Sequence, residues 1–211
     1  GHLRRADESQ PYPTVFQAHS PRTQAMPERE VLEANGSLGL STIALRPHLI
    51  FGPGDTNLIP AILERARTGK LTRVGNGKNL SDFSFIEDCV TAHLLAAEAL
   101  EKNAACRGRP YFISQGDPVP LWWFIDQVLE RSGLPPVRKS VPYLVAKLTA
   151  SLAEWVATRR NEEPALTRFL VHEMATDHYF DITRAKNDLG YRPSVTVAQG
   201  LDRTFAVQQA A

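Results

Sequence analysis

The chain has 211 residues, 43% of them hydrophobic, enough for one globular domain with a small appended lobe. Its 24 Lys and Arg against 23 Asp and Glu leave a net charge of +1, so there is no global field to draw nucleic acid or anionic lipid. Two cysteines, Cys89 and Cys106, are too few for a disulfide framework and point to a reducing, intracellular compartment, although one bridge between them fits the count.

Residues 1–20 are polar, with Pro11 and Pro13 and no clean period, and read as a loop without a signal peptide. Residues 22–35 carry a helical run from Glu28 to Ala34 with Asn35-Gly36 as its stop. Pro27 sits inside that run, so the helix is expected to start near it or kink there. Ser41 to Leu45 is short, β-rich and closed by Arg46-Pro47, which reads as a buried strand, and a Gly52-Pro53-Gly54 turn follows. Asn57 to Arg67 is helical, and residues 72–74 form a strand ending in the Gly75-Asn76-Gly77 turn. Phe83 to Ile86 feeds a helix from Glu87 to Leu100 that carries Val90, Leu94 and Ala97.

Pro110 to Ser114 reads as a second buried strand, and Val119 to Arg131 as a helix whose apolar faces hold Trp122 and Trp123. After the Pro135-Pro136 linker, residues 141–158 form an amphipathic helix with Leu144, Leu148, Leu152, Trp155 and Val156 as its stripe. That stripe is expected to pack on the rest of the lobe. Lys147 and Glu154 make the segment a poor membrane span. Tyr179 to Ile182 reads as a strand, Thr183 as the N-cap of residues 184–189, and residues 197–209 as a closing helix. Strands alternating with helices mean an α/β fold with a parallel sheet.

Three motif readings give no site. His172-Glu173 and His178 lack the spacing of a helical zinc motif, so no metal is expected. Asp88 reads as a cap or brace for its helix. Tyr143 and Lys147 have a tyrosine–lysine spacing of four but lie in the late amphipathic helix, so they are set aside.

Four blocks in order carry a resemblance. They are Arg46-Pro47-His48-Leu49-Ile50-Phe51-Gly52-Pro53-Gly54, then Asn57-Leu58-Ile59-Pro60, then Asp82-Phe83-Ser84-Phe85-Ile86-Glu87-Asp88, and the run from Tyr179 to Pro193. Together they resemble the NAD-dependent epimerase/dehydratase group of extended short-chain dehydrogenases. The closest likeness is to its branch of 3β-hydroxysteroid dehydrogenase/isomerases and sterol-4-carboxylate 3-dehydrogenases. Only that family's C-terminal part is matched. The fold this implies is a Rossmann-like parallel sheet truncated before its dinucleotide-binding half. Residues 1–56 and 82–116 would form the remnant core, and residues 57–81 and 117–211 a mostly helical substrate lobe.

The resemblance implies hydride transfer from the 3-hydroxyl of a steroid or sterol to NAD(P). Pro47, His48, Leu49 and Ile50 would contact the nicotinamide, and Asn57, Leu58 and Phe85 the substrate. The family's catalytic tyrosine and lysine fall on Ser20 and Gln24. A free phenol titrates near ~10 and needs a neighbouring cation to work near neutrality. Ser20 is too weak an acid and Gln24 has no charge, so impaired activity is expected. No Gly-x-Gly-x-x-Gly turn follows a strand either, so a pyrophosphate cradle is missing. The alternative is a non-catalytic remnant or binding pseudoenzyme that associates through an exposed sheet edge. A homo-oligomer, and peripheral contact of residues 141–157 with a membrane such as the endoplasmic reticulum, are further implications of the resemblance.

Overall fold

The computed structural model describes residues 2–10, 19–160, 164 and 166–209, with only the course of the backbone described for 19–25 and 207–209. In chain order the elements are β1 (Leu3–Ala6), α1 (His19–Glu33), β2 (Ile43–Pro47), β3 (Ile50–Phe51), α2 (Leu58–Arg67), β4 (Arg73–Val74), β5 (Leu80–Ser81), β6 (Ser84–Phe85) and α3 (Ile86–Lys102). They continue as β7 (Arg109–Ile113), β8 (Val119–Pro120), α4 (Leu121–Arg131), β9 (Ser140–Val141), α5 (Tyr143–Arg160), α6 (Arg168–Glu173), β10 (His178–Phe180), α7 (Thr183–Asp188) and α8 (Val197–Gln209). The chain divides into two compact units. The first holds residues 1–3, 59–81 and 119–178, and the second 4–58, 82–118 and 179–211.

The second unit is built on β2 and β7, which pair in parallel from Ile43 opposite Arg109 to Pro47 opposite Ile113. Tyr111, Phe112 and Ile113 are all buried, as a strand covered on both faces requires. Helix α3 packs here through Ala92, Ala96 and Ala99, small residues that let it sit close, while Val90 and Leu94 are exposed. The segment after β10, expected in the substrate lobe, instead contributes Ile182, Ala185, Leu189 and Tyr191 to this core. Ile182, rather than Thr183, is the N-cap residue of α7 and makes no side-chain capping bond, while Asp181 Oδ1 accepts the N–H of Thr183, the first helical residue, at 2.8 Å. Helix α1, described from His19 to Glu33, runs through Pro27 without ending there. An interior proline costs a backbone bond, about 3 kcal/mol. The adjoining Glu28 is gripped by Arg46 of β2, which holds this stretch of helix against the strand.

In the first unit α4 buries Trp122, Phe124, Ile125, Val128 and Leu129. Trp122 donates its indole N–H to Met174 O at 3.2 Å, so it is a core residue. Strands β4 and β9 pair in parallel, Val74 opposite Val141. Val74 joins Ala146, Ala150 and Val171 in a second cluster.

The α5 stripe reverses expectation. The helix packs through Ala146, Ala150 and Ala157, and Leu144, Leu148, Leu152 and Trp155 are exposed. Helical periodicity marks both faces as apolar, and the neighbours reach the alanine face. Among the described residues no helix is long and apolar enough to cross a membrane.

Candidate functional site

The site lies in the second unit, where β2 ends. Pro47 closes the strand, and the chain turns through His48 and Leu49 into β3. Leu49 is forced to φ 44°. A branched side chain in this left-handed region costs roughly 1–2 kcal/mol, so the surroundings must impose it. Ser84 imposes it. Parallel pairing sets Ile50 opposite Ser84 and Phe51 opposite Phe85. The Ser84 hydroxyl accepts the His48 N–H at 3.1 Å, and its own proton is shared between His48 O at 3.0 Å and Ile113 O at 2.8 Å. Its backbone N–H donates to Leu49 O at 3.3 Å. One buried serine thus ties the bend to β7.

Aromatic contacts fix the side chains around this bend. The His48 ring meets Phe180 edge-on at 5.1 Å, and Phe180 stacks on Phe112 at 4.1 Å. The Arg46 guanidinium lies 5.2 Å from the Phe112 centroid. Arg46 Nη2 donates to Glu28 Oε1 at 2.6 Å and Nε to the same carboxylate at 3.0 Å, with both side chains mostly buried. This charge-assisted, two-pronged pair sets the register of α1 against β2. Ser20 and Gln24 lie two and one turns ahead of Glu28 on α1. Their side chains lie outside the described residues.

Beyond the bend, residues 50–57 and Ile86 line an open groove of about 240 Å³. Gly52, at φ 152°, lies so close to Ile86 that any Cβ would collide with the Ile86 side chain. Asp55 Oδ1 accepts the N–H groups of Asn57 at 2.7 Å and Leu58 at 3.0 Å, which caps the start of α2.

A buried polar network supports the groove from behind. Gln115 Oε1 accepts the Phe85 N–H at 2.8 Å, and its Nε2 donates to Val195 O at 3.0 Å and to Asp88 Oδ2. Asp88 Oδ1 accepts the Ser194 N–H at 2.9 Å, the bracing role expected of it. Asp82, wholly buried, accepts the Phe180 N–H at 2.8 Å. Burial pushes its carboxyl up to about 6, with the Phe180 and Ser114 hydrogen bonds pulling back and the Asp117 charge adding to the rise. Burial also raises the phenols of Tyr111 and Tyr191, which bond to Asp188 at 2.9 Å and to Ser114 O at 3.1 Å. Neither phenol can supply a phenolate near neutrality.

Pro47, His48, Leu49 and Ile50 are therefore brought together in one bend, and Asn57 joins the adjoining groove. Leu58 opens α2. Phe85 is corrected from a substrate contact to a packing residue. It has no exposed surface, its ring lies 5.6 Å from Phe51, and Gly200 presses on both rings. Tyr143 OH sits 3.5 Å from His172 Nδ1, and Lys147 is exposed. Both cysteines are free and buried. Among the described residues no group of three or more His, Cys, Asp and Glu side chains is placed to hold a metal. Ser84 and the Arg46–Glu28 pair were missed in the sequence. The one signal for Ser84 was a small polar residue between Phe83 and Phe85, where a buried hydroxyl needs backbone partners.

Comparison with known proteins points in one direction. The model of the 3-beta hydroxysteroid dehydrogenase/isomerase family matches residues 1–143. A 2-alkyl-3-oxoalkanoate reductase of Stenotrophomonas maltophilia is 43% identical over 95% of this chain and 61% of its own length. A decarboxylating sterol-4-alpha-carboxylate 3-dehydrogenase of Mus musculus is 35% identical over 96% of this chain and 58% of its own. The chain spans between 37 and 61% of the length of the curated relatives it matches. Among solved structures, gox2253 superposes with a TM-score of 0.70 at 23% identity, covering 100% of this chain and 63% of that one. The UDP-glucuronic acid 4-epimerase of Bacillus cereus, in complex with NAD, superposes at 0.66 with 17% identity, covering 98% and 57%. At these identities the structures show a shared fold.

Proposed function

The chain belongs to the 3-beta hydroxysteroid dehydrogenase/isomerase family, and we propose that it contributes the nicotinamide- and substrate-facing part of an NAD(P)-dependent oxidoreductase that interconverts a secondary alcohol and a ketone. The observation that carries this reading is the Pro47–Ile50 bend, strained at Leu49 and clamped by Ser84 beside an open groove. Energy stored in a rigid backbone turn is characteristic of a position that must hold a ligand in one orientation. The Ser84-clamped bend and the groove beside it support a place for the nicotinamide end of a dinucleotide. They supply no glycine-rich strand–helix turn for a pyrophosphate. When bound, NAD(P) supplies the hydride acceptor or donor, and this chain's share is to orient the ring and the carbinol carbon.

The substrate class follows from the relatives. A sterol 4-carboxylate oxidised at carbon 3 and a 2-alkyl-3-oxoalkanoate both carry oxygen on the carbon β to a carboxylate. We therefore assign a β-hydroxy or β-keto carboxylate on a large apolar skeleton, which includes but widens the 3-hydroxysterol expected from sequence. As hydride leaves, the hydroxyl proton needs a base. With Ser20 and Gln24 at the family's tyrosine and lysine positions, the usual proton path is absent, and general acid–base help worth ~10²–10⁴-fold goes with it.

The test is oxidation and reduction of such substrates by the chain before and after Ser20→Tyr combined with Gln24→Lys. Turnover should rise by about 10²–10⁴-fold with KM little changed. An unaltered chain that already turns over at the rate of the double variant would overturn the proton-path reading. A second reading is favoured by one observation: among the described residues β7 is the one strand that pairs with β2. On that reading the chain is a non-catalytic binding subunit that takes a strand along Ile43–Pro47, and the double variant would remain inactive.

A further inference from the structure

We infer that Asn76 is a modification site, at which the side-chain amide is lost spontaneously to give aspartate and isoaspartate, and that the fold protects Asn35 from the same reaction. The chemistry is independent of catalysis at the Pro47–Ile50 bend. The sequence contains two Asn-Gly steps, Asn35-Gly36 and Asn76-Gly77. Glycine has no side chain to shield its backbone nitrogen, so in both steps that nitrogen can approach the preceding side-chain amide. The sequence treats the two steps alike, and the structure separates them.

The Gly77 nitrogen gives up its proton to hydroxide and forms a bond to Asn76 Cγ. The Cγ–Nδ2 bond then breaks, and Nδ2 leaves as ammonia. Water opens the cyclic imide that remains. Cleavage of the nitrogen's bond to Cγ leaves aspartate. Cleavage of its bond to the main-chain carbonyl carbon leaves isoaspartate, in which the backbone runs through Cβ. Water is the sole reagent consumed, and no atom is oxidised or reduced.

At Asn76 the geometry favours each stage. The residue is exposed in the turn between β4 and β5, so water and hydroxide reach it. Its Oδ1 accepts the Lys78 N–H at 3.0 Å, which curls the side chain over the Gly77 peptide and keeps Cγ beside the attacking nitrogen. The same N–H points at the oxygen on which negative charge develops as the bond to Cγ forms, a one-donor oxyanion hole. Among the described residues the Gly77 N–H, at φ 69°, has no acceptor, so the nucleophile is not tied up.

At Asn35 the fold opposes the same stages. Its Oδ1 accepts the Thr42 N–H at 3.0 Å, which anchors the amide at the approach to β2 instead of over the Gly36 peptide. The side chain also lies against Gly108, whose N–H donates to Thr42 O at 2.7 Å. The Gly36 N–H donates to Leu40 O at 2.8 Å, a bond that must break before this nitrogen can attack. Misplacing reacting atoms by about 1 Å can cost ~10²-fold in rate, so Asn35 should react at least about tenfold more slowly than Asn76.

The two products should differ in stability. Aspartate keeps an oxygen for the Lys78 N–H. Isoaspartate lengthens the backbone next to Gly77, where a Cβ would already fall 2.7 Å from Arg73 Cδ, and Arg73 holds Asp126 at 2.9 Å.

The test is incubation of the full chain at mildly alkaline pH, in buffer and in concentrated urea, followed by peptide mapping with mass spectrometry. Isoaspartate is read by carboxyl methylation with an isoaspartyl methyltransferase. In buffer the Asn76 peptide should convert at least about tenfold faster than the Asn35 peptide, and in urea, where neither set of hydrogen bonds persists, at a comparable rate. Asn76→Gln should abolish methylation of the folded chain. The isoaspartyl fraction should melt below the unaged chain, and Asn76→Asp should melt with it. Equal rates at the two asparagines in buffer would overturn the proposal. So would the same ratio in buffer and in urea, because local sequence and not the fold would then set the rates.

Discussion

Asp82→Asn should abolish a pH dependence of stability that the native chain shows between about pH 4 and 6. Asp82 is wholly buried, and its carboxyl is pushed up to about 6 from an ordinary value of 3.8. Because the folded value lies above the unfolded one, the folded state holds the proton through this window while the unfolded state has released it. Stability therefore falls as pH rises from 3.8 to 6 and is flat above. A shift of about two units at 1.36 kcal/mol each gives a loss of roughly 3 kcal/mol. The lowered carboxyls of Asp7 and Asp181 act in the opposite sense, but below pH 3.8, outside the window. Asparagine keeps an oxygen for the Phe180 N–H and an amide for the Ser114 hydroxyl, so the variant isolates the charge. Urea midpoints taken every half pH unit from 4 to 7 provide the assay. The variant's advantage should grow by about 3 kcal/mol over the window, on the order of 1 M in midpoint. A constant gap between the two proteins would refute the reasoning, because it would mean that Asp82 ionises alike in both states.

Two further substitutions test the bend. Ser84→Ala leaves the His48 N–H without its hydroxyl acceptor inside the fold and should cost about 2–4 kcal/mol. At this chain length that is roughly 4–16 °C in melting temperature, against less than 2 °C for the exposed control Ser140→Ala. Gly52→Ala must place a Cβ against Ile86 at a backbone angle that L-residues rarely adopt. A loss of about 3 kcal/mol is expected by denaturant titration, and Ala tolerated within 0.5 kcal/mol would show that the turn can relax.

Legibility varied by region for physical reasons. Helices α2, α4 and α8 and strands β2 and β7 could be read to within about two residues, because their apolar periods and glycine or proline boundaries are local signals. The Pro47–Ile50 bend was legible as a motif but not as a strained turn, since Leu49 has no intrinsic preference for φ 44° and the hydroxyl that imposes it lies 36 residues from His48. Phe85 was misplaced because an aromatic in a family block fits a packing role and a binding role equally well until its exposure is known. The segment after β10 was assigned to the lobe by its position in the chain, whereas Ile182, Ala185 and Tyr191 face the core strands.

The order of blocks along the chain, from Arg46-Pro47 through Asp82-Phe83-Ser84 to the run ending at Pro193, was sufficient to determine the family and the α/β class. The residues at positions 20 and 24 were sufficient to put the usual proton path in question. Which apolar face of α5 is buried was decided only in three dimensions. Leucines and alanines both satisfy a helical period, and neighbouring elements approached the small residues, leaving the large ones outside. The same holds for Asp82 and Ser84. Their roles depend on burial and on partners distant in sequence, quantities that a one-dimensional pattern does not contain.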